Sequence, residues 1–164
     1  MSEIQDAHRP ARCVGPEPWA SGPDGFVLVM AAAPANLAFA RSVVAAFAAR
    51  LPFTLEEVED VKLAVSEMVA NAVVHAYPGG TGPVWVAGRI RDGGVEIVVE
   101  DRGVGIADVE KARRAGYSSL GGDHLGIGFS VAESYVDVLE VDSSPGEGTC
   151  VRLFKRPALQ AAPS

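Results

Sequence analysis

The spacing of apolar positions predicts two helices in the first half of the chain. Residues 35–50 (ANLAFARSVVAAFAAR) are almost entirely apolar, which is typical of a well-covered helix. A second helix is predicted to begin after Thr54, because Glu57 stands three residues later and completes a capping box. Its apolar pattern extends to about Tyr77, where the Pro78–Gly80 turn stops it.

Short segments of alternating apolar and polar residues predict strands. They lie at residues 26–32, 83–91, 95–101, 137–144 and 149–155. The turn Asp92-Gly93-Gly94 joins the second and third segments into a β-hairpin, and a PGEG turn joins the last two. Between these hairpins, a glycine-rich and charged stretch to about Leu125 precedes a third helix over residues 126–136.

The resulting order is β-α-α-β-β-loop-α-β-β, with most strands joined as hairpins. This order favours a two-layer α/β sandwich in which helices cover one face of a mixed, largely antiparallel sheet. One domain is expected over residues 26–156. Residues 1–25 carry four prolines and are predicted to form a disordered arm, and residues 157–164 a short flexible tail.

Composition narrows the classes of function. A chain of 164 residues with 48% hydrophobic content suits one globular domain. The formal net charge of -7 argues against direct nucleic-acid binding and favours a protein partner. Cys13 and Cys150 belong to no CxxC pair or histidine cluster, so neither a disulfide framework nor a zinc site is predicted. We therefore expect a reducing, cytoplasmic environment. No apolar stretch reaches membrane-spanning length, so we expect no membrane association.

The second helix carries a polar stripe on an otherwise apolar surface. Glu67, Asn71 and His75 follow one another at four-residue intervals and therefore share a face. Such a stripe either faces water or lines a polar site.

A carboxylate followed by alternating glycines ends the third predicted strand. Asp101-x-Gly103-x-Gly105 combines an acceptor with backbone that a ligand can approach closely, although turns after strands often have this composition. A Rossmann motif is excluded because its third glycine would fall at Asp108, and no Walker motif occurs.

Two further motifs lie downstream. Gly126-x-Gly128 opens the third helix, where free amide groups favour an anion; flexible helix entry explains the same glycines. Thr149 follows Gly148 at the start of the last strand, and by itself this segment indicates only a turn.

Taken in order, these motifs resemble a known family. Together with the surrounding residues from about 33 to 155, they resemble the anti-sigma-factor serine kinases of the Bergerat (GHKL) ATP-binding superfamily, most closely the sporulation anti-sigma F factors. The resemblance implies the Bergerat fold, ATP or ADP with Mg²⁺ as cofactors, and activity as a protein serine/threonine kinase.

The resemblance also implies roles for individual residues. Glu67 corresponds to the general base and Asn71 to the Mg²⁺ ligand. Asp101 corresponds to the carboxylate that binds the adenine amino group, and Thr149 to a residue that supports adenine through water.

The family's ATP lid would extend from Ile106 to Leu125, with Gly103 and Gly105 as its hinge and Gly126 and Gly128 offering amides to the phosphates. From 115 to 126 this lid carries only His124 where relatives often carry Lys or Arg, so we expect a weaker counter-charge for the γ-phosphate.

The implied partners are a sigma factor, which the protein sequesters, and an anti-anti-sigma protein, which it phosphorylates on serine. A homodimer is also implied, and Arg41 lies in a segment that matches the partner-contacting surface of the family. The alternatives are a non-catalytic, nucleotide-dependent partner switch or another GHKL ATPase or kinase module. Glu67 favours the kinase, because a pure binding module needs no base.

Overall fold

The structure is a computed structural model that describes residues 17–114 and 124–158, with the backbone alone at residues 17 and 124–127. Its main elements are β1 (Gly25–Ala31), α1 (Leu37–Ala48), α2 (Leu55–Asn71), β2 (Pro83–Arg91), β3 (Gly94–Asp101), α3 (Val109–Arg113), α4 (His124–Tyr135), β4 (Val138–Ser143) and β5 (Thr149–Lys155). All predicted strands and helices are present. The short helix α3 was not predicted, and α4 begins before Gly126.

The five strands form one sheet in the order β1-β2-β3-β5-β4. All neighbouring strands in this sheet pair antiparallel, so the prediction of a mixed sheet was wrong in that detail. The reason is that β4 runs in the same direction as β3, but β5 lies between them and pairs antiparallel with both. The predicted two-layer arrangement is confirmed. The core between helices and sheet includes Val44, Phe47, Val65, Val69, Val86, Ile97, Val99, Phe129 and Leu153.

The predicted capping box fixes the start of α2. Thr54 Oγ1 accepts from the amide of Glu57 at 3.2 Å, and the Glu57 carboxylate accepts from the amide of Thr54 at 2.8 Å. The hydrogen bond from the Thr54 backbone lowers the pKa of Glu57. The same carboxylate accepts from the amide of Ala158 at 2.6 Å, so the predicted tail begins with an anchored residue. Residues 159–164 lie outside the described part.

The opposite face of the sheet is partly covered by the segment before β1. Residues Glu17–Ala20 form a 3₁₀ turn that buries Trp19 against Ala87, Val98 and Cys150. The Arg89 guanidinium lies 4.3 Å from the centre of the Trp19 ring. The predicted disordered arm is therefore structured from residue 17, because one aromatic side chain finds an apolar patch that composition alone does not reveal. Residues 1–16 lie outside the described range.

Cys150 is disulfide-bonded, so the expectation that the cysteines are unpaired was wrong. The only other cysteine, Cys13, lies outside the described residues. The cytoplasmic prediction therefore loses the support that it drew from reduced cysteines. No helix in the described ranges is long and apolar enough to cross a membrane.

Replacing the capping residue tests its role in holding the site-bearing helix. We expect Thr54→Ala to lower the free energy of unfolding by about 1 kcal/mol, because the amide of Glu57 loses its acceptor at the helix start. Thr54→Ser keeps the hydroxyl and should retain most of this stability. Denaturant unfolding of the three proteins gives the measurement, and equal midpoints for wild type and Thr54→Ala would contradict the expectation.

Candidate nucleotide site

The polar stripe of α2 ends in a widened helical turn. Glu67 and Asn71 lie one turn apart on α2, and the chain then continues as a π-helical turn over Ala72–Ala76, which carries His75. Such turns are frequent at functional sites. A cavity beneath this turn is lined by Asn71, His75, Asp101, Gly105, Ile106, Phe129 and Thr149, among others. The cavity thus brings together residues from three of the predicted motifs.

A second cavity lies on the other side of Asp101 and Thr149. It is the larger, at about 350 Å³ against about 30 Å³, but its lining includes the carboxylates of Glu100, Asp142 and Glu147 against a single cation, Arg102. Such a lining repels phosphates. The smaller cavity is the better nucleotide site on chemical grounds. At its present size it holds only a few water molecules, so a bound nucleotide requires its walls to move apart.

The backbone of α4 approaches the α2 stripe at Gly128. A Cβ added at Gly128 would lie 3.0 Å from Asn71 Oδ1 and 3.3 Å from Glu67 Oε2, closer than most neighbours tolerate. Neither of these two side chains hydrogen-bonds to another described residue, and Asn71 Nδ2 is buried without a partner among them. A buried amide without a partner is costly unless a ligand or water completes it. The side chains of Glu67 and Asn71 are therefore available to bind a ligand.

Asp101 is the buried carboxylate of the site. Only 8% of the residue is exposed, and its Oδ1 accepts from the amides of Gly103 at 2.9 Å and Thr149 at 3.3 Å. Burial raises the pKa of Asp101, and these two amides only partly oppose the shift. Its Oδ2 makes no hydrogen bond with the described residues, so one acceptor remains for a ligand.

The glycines after Asp101 let three backbone segments meet. A Cβ at Gly103 would collide with the carbonyl of Ala76, at the end of the π turn, where the amide of Val104 donates to the same carbonyl at 2.9 Å. Gly105 has a φ of +72° and lies against the carbonyl of Ser144. The base of the predicted lid is thus fixed between the helix end and the β4–β5 turn.

One residue next to the candidate site was not predicted from the sequence. Ser143 Oγ accepts from the amide of Ile106 at 2.8 Å, and lies 2.9 Å from both Gly148 O and Thr149 Oγ1. It lies opposite Thr149 in the β4–β5 register. The predicted hairpin contained this signal, because the residue facing Thr149 across the strands is a hydroxyl.

Comparison with known proteins identifies the family. Residues 30–155 match the model of the histidine kinase-like ATPase domain. An anti-sigma F factor from Caldanaerobacter subterraneus subsp. tengcongensis is 47% identical over 121 residues, which is 73% of this chain and 85% of that protein. The chain belongs to the anti-sigma F factor branch of the histidine kinase-like ATPase family.

Two further matches agree with this assignment. An anti-sigma F factor from Pasteuria penetrans is 49% identical over 130 residues, covering 77% of this chain and 85% of that protein. A solved structure of RsbU and RsbW domains from Mycobacterium tuberculosis aligns with a TM-score of 0.58 and 23% identity, covering 80% of this chain and 32% of that one. This structural likeness supports the fold.

Several residues predicted for the nucleotide site either do not line the cavity or lie outside the described residues. Residues 115–123 of the lid lie outside the described residues, as do the side chain of His124 and the surroundings of Gly126. The backbone of His124 and Gly126 belongs to the first turn of α4. Arg41 lies on α1 and does not line the cavity described above.

The raised pKa of Asp101 predicts that its ionised carboxylate lowers the free energy of unfolding. Because the pKa is raised on folding, the ionised form destabilises the fold above the folded-state pKa, and the effect is absent below the unfolded pKa. We expect Asp101→Asn to raise the free energy of unfolding at pH 7 by about 1 kcal/mol, since the amide oxygen still accepts from Gly103. The gain should shrink as pH falls through that window. Chemical denaturation across pH measures it, and a loss of stability at pH 7 would contradict it.

Proposed function

We propose that this protein is an anti-sigma factor and an ATP-dependent serine kinase. It would sequester a sigma factor and phosphorylate a serine of an anti-anti-sigma protein. One observation carries the proposal: the carboxylate of Glu67 and the amide of Asn71 both lie against the backbone of Gly128, in the second turn of α4. The names of the relatives, anti-sigma F factors, support the sigma-factor partner.

Glu67 is proposed as the general base. A serine hydroxyl must lose its proton as it attacks the γ-phosphorus, and a carboxylate within reach of that hydroxyl accepts the proton. Glu67 is half-buried and makes no ion pair or hydrogen bond with the described residues, so its oxygens are available for this step.

The nucleotide is proposed to lie along the cavity from Asp101 to Gly128. Asp101 Oδ2 would accept from the adenine amino group, with Thr149 beside it. The phosphates would meet the first turns of α4, where helix amides favour anions.

The residues of the site fit Mg²⁺. No group of three or more His, Cys, Asp or Glu residues suited to a metal occurs in the described ranges, so the ion would be held by few protein ligands and by the phosphates. This is how Mg²⁺ usually binds with nucleotides. Asn71 would supply its Oδ1. When bound, the ion neutralises charge that develops on the phosphates.

The partner surface is proposed to include α1. Phe39 is 52% exposed, and Arg41, half-buried two residues later, makes no ion pair or hydrogen bond with the described residues. Phenylalanine and arginine are both enriched at protein interfaces. We further propose a homodimer, which the resemblance to the anti-sigma-factor kinases implies, and a cytoplasmic location, where a sigma factor acts.

Glu67→Gln tests the kinase assignment. The amide keeps the shape of the side chain but accepts no proton, so we expect Mg-ATP affinity within about threefold of wild type and phosphoryl transfer reduced at least a hundredfold. Calorimetry measures binding, and transfer of labelled γ-phosphate to a purified anti-anti-sigma protein measures catalysis.

Glu59→Gln is the matched control, because Glu59 lies on the same helix but pairs with Lys62 at the surface. It should leave both measurements unchanged. Undiminished transfer by Glu67→Gln would remove Glu67 from catalysis. Absence of transfer in the wild type, with nucleotide-dependent sigma binding intact, would favour the non-catalytic partner switch.

Arg41→Ala tests the partner surface. We expect it to weaken association with the sigma factor, the anti-anti-sigma protein or both by about 2 kcal/mol, because an arginine buried at an interface is often a binding hot spot. Folding and ATP affinity should not change. Arg50→Ala, at an exposed arginine paired with Asp24, is the control. Equal partner affinities of wild type and Arg41→Ala, with ADP and with ATP, would show that Arg41 is not part of the partner surface.

A further inference from the structure

Ser143 lines the larger, acidic cavity and hydrogen-bonds to Ile106 and Thr149, which line the nucleotide cavity. Its Oγ accepts from the amide of Ile106 at 2.8 Å and lies 2.9 Å from Gly148 O and 2.9 Å from Thr149 Oγ1. A hydroxyl can donate once and accept twice, so these three contacts use its full capacity.

The chemistry of the three partners fixes the direction of each bond. The amide of Ile106 can only donate and the carbonyl of Gly148 can only accept. The Ser143 hydroxyl therefore donates its single hydrogen to the carbonyl of Gly148. The bond between the two hydroxyls is then made only if Thr149 is the donor. The Thr149 hydroxyl therefore donates its hydrogen to Ser143 and can only accept hydrogen bonds from a ligand in the cavity.

Asp101 adds a second group of the same polarity. It lies opposite Thr149 in the β3–β5 register, and the amide of Thr149 donates to its Oδ1. Its Oδ2 has no partner among the described residues, and both side chains line the cavity. This side of the cavity therefore offers acceptors from two residues and no side-chain hydroxyl donor.

We propose that Ser143 determines base specificity by orienting the hydroxyl of Thr149 as an acceptor. This inference rests on the proposed nucleotide site. Adenine carries an exocyclic amino group, which donates hydrogens, at the position where hypoxanthine carries an oxo group, which only accepts. An acceptor-only wall bonds the first and leaves the second unsatisfied. Ser143 acts through Thr149 and is a positioning residue.

The test compares ADP with IDP, whose base carries an oxo group in place of the amino group and also a hydrogen on N1, where adenine has a lone pair. Calorimetry with Mg²⁺ gives both dissociation constants, and the readout is their ratio. We expect wild type to favour ADP, and Ser143→Ala to reduce that preference about tenfold, because the freed Thr149 hydroxyl can turn and donate to the oxo group. Ser143→Thr keeps the hydroxyl and should restore the preference. Ser144→Ala is the control, because the Ser144 hydroxyl makes no hydrogen bond with the described residues.

A merely structural role gives a different result. Loss of the Ile106 bond alone would weaken ADP and IDP equally and leave their ratio at the wild-type value, which would overturn the proposal. In a Thr149→Val background, Ser143→Ala should no longer change the ratio; a change of the same size there would also overturn it. Ser143→Cys, which keeps the shape but bonds weakly, provides a second variant if the alanine variant does not fold, and should shift the ratio in the same direction.

Failure of the proposed site gives its own outcome. If wild type binds neither ADP nor IDP, the nucleotide site itself is refuted, and the role of Ser143 with it. If wild type binds both nucleotides and Ser143→Ala and Ser143→Cys leave the ratio unchanged, the role of Ser143 is refuted while the nucleotide site stands.

Discussion

The site depends on the close approach of three backbone segments behind Asp101. The loop after β3 is held on one side by the end of the π turn, where the amide of Val104 donates to the carbonyl of Ala76, and on the other by the β4–β5 turn, where the amide of Gly146 donates to the carbonyl of Val104. Side chains larger than hydrogen at Gly103 and Gly105 would separate these segments. Asp101 keeps its position because the chain that follows it cannot shift without breaking both contacts.

Tyr77 strengthens the same junction. Its hydroxyl donates to the carbonyl of Pro83 at 2.6 Å and accepts from the amide of Arg102 at 2.9 Å. Burial raises the pKa of Tyr77, so the hydroxyl stays protonated and can make both bonds. The end of the helix that carries Asn71 is thereby tied to the start of β2 and to the residue after Asp101. Helix and strand contribute to one rigid frame.

Two buried carboxylates on β3 show how the sheet separates stability from chemistry. Glu96 points to the face opposite the helices. Burial opposes its ionisation, but hydrogen bonds from Arg89 and Arg152 outweigh that effect and lower its pKa. Asp101 points to the helix side, receives only backbone amides and keeps a raised pKa. A carboxylate satisfied by arginines serves the fold, whereas one with an unused oxygen is available to a ligand.

The sequence by itself determined most of the secondary structure and the motifs. Alternation and turn glycines located the strands, the Thr54 capping box located the start of α2, and four-residue spacing placed Glu67 and Asn71 on one face, because these signals are local. Several features depended on tertiary structure. The antiparallel pairing of β3 with β5, the burial of Trp19 and the contact of Gly128 with Glu67 and Asn71 join residues far apart in the chain, and spacing carries no information about such distances. The link from Ser143 to Ile106 is of this kind too, since it forms only after the sheet aligns the β4–β5 turn with the loop after β3.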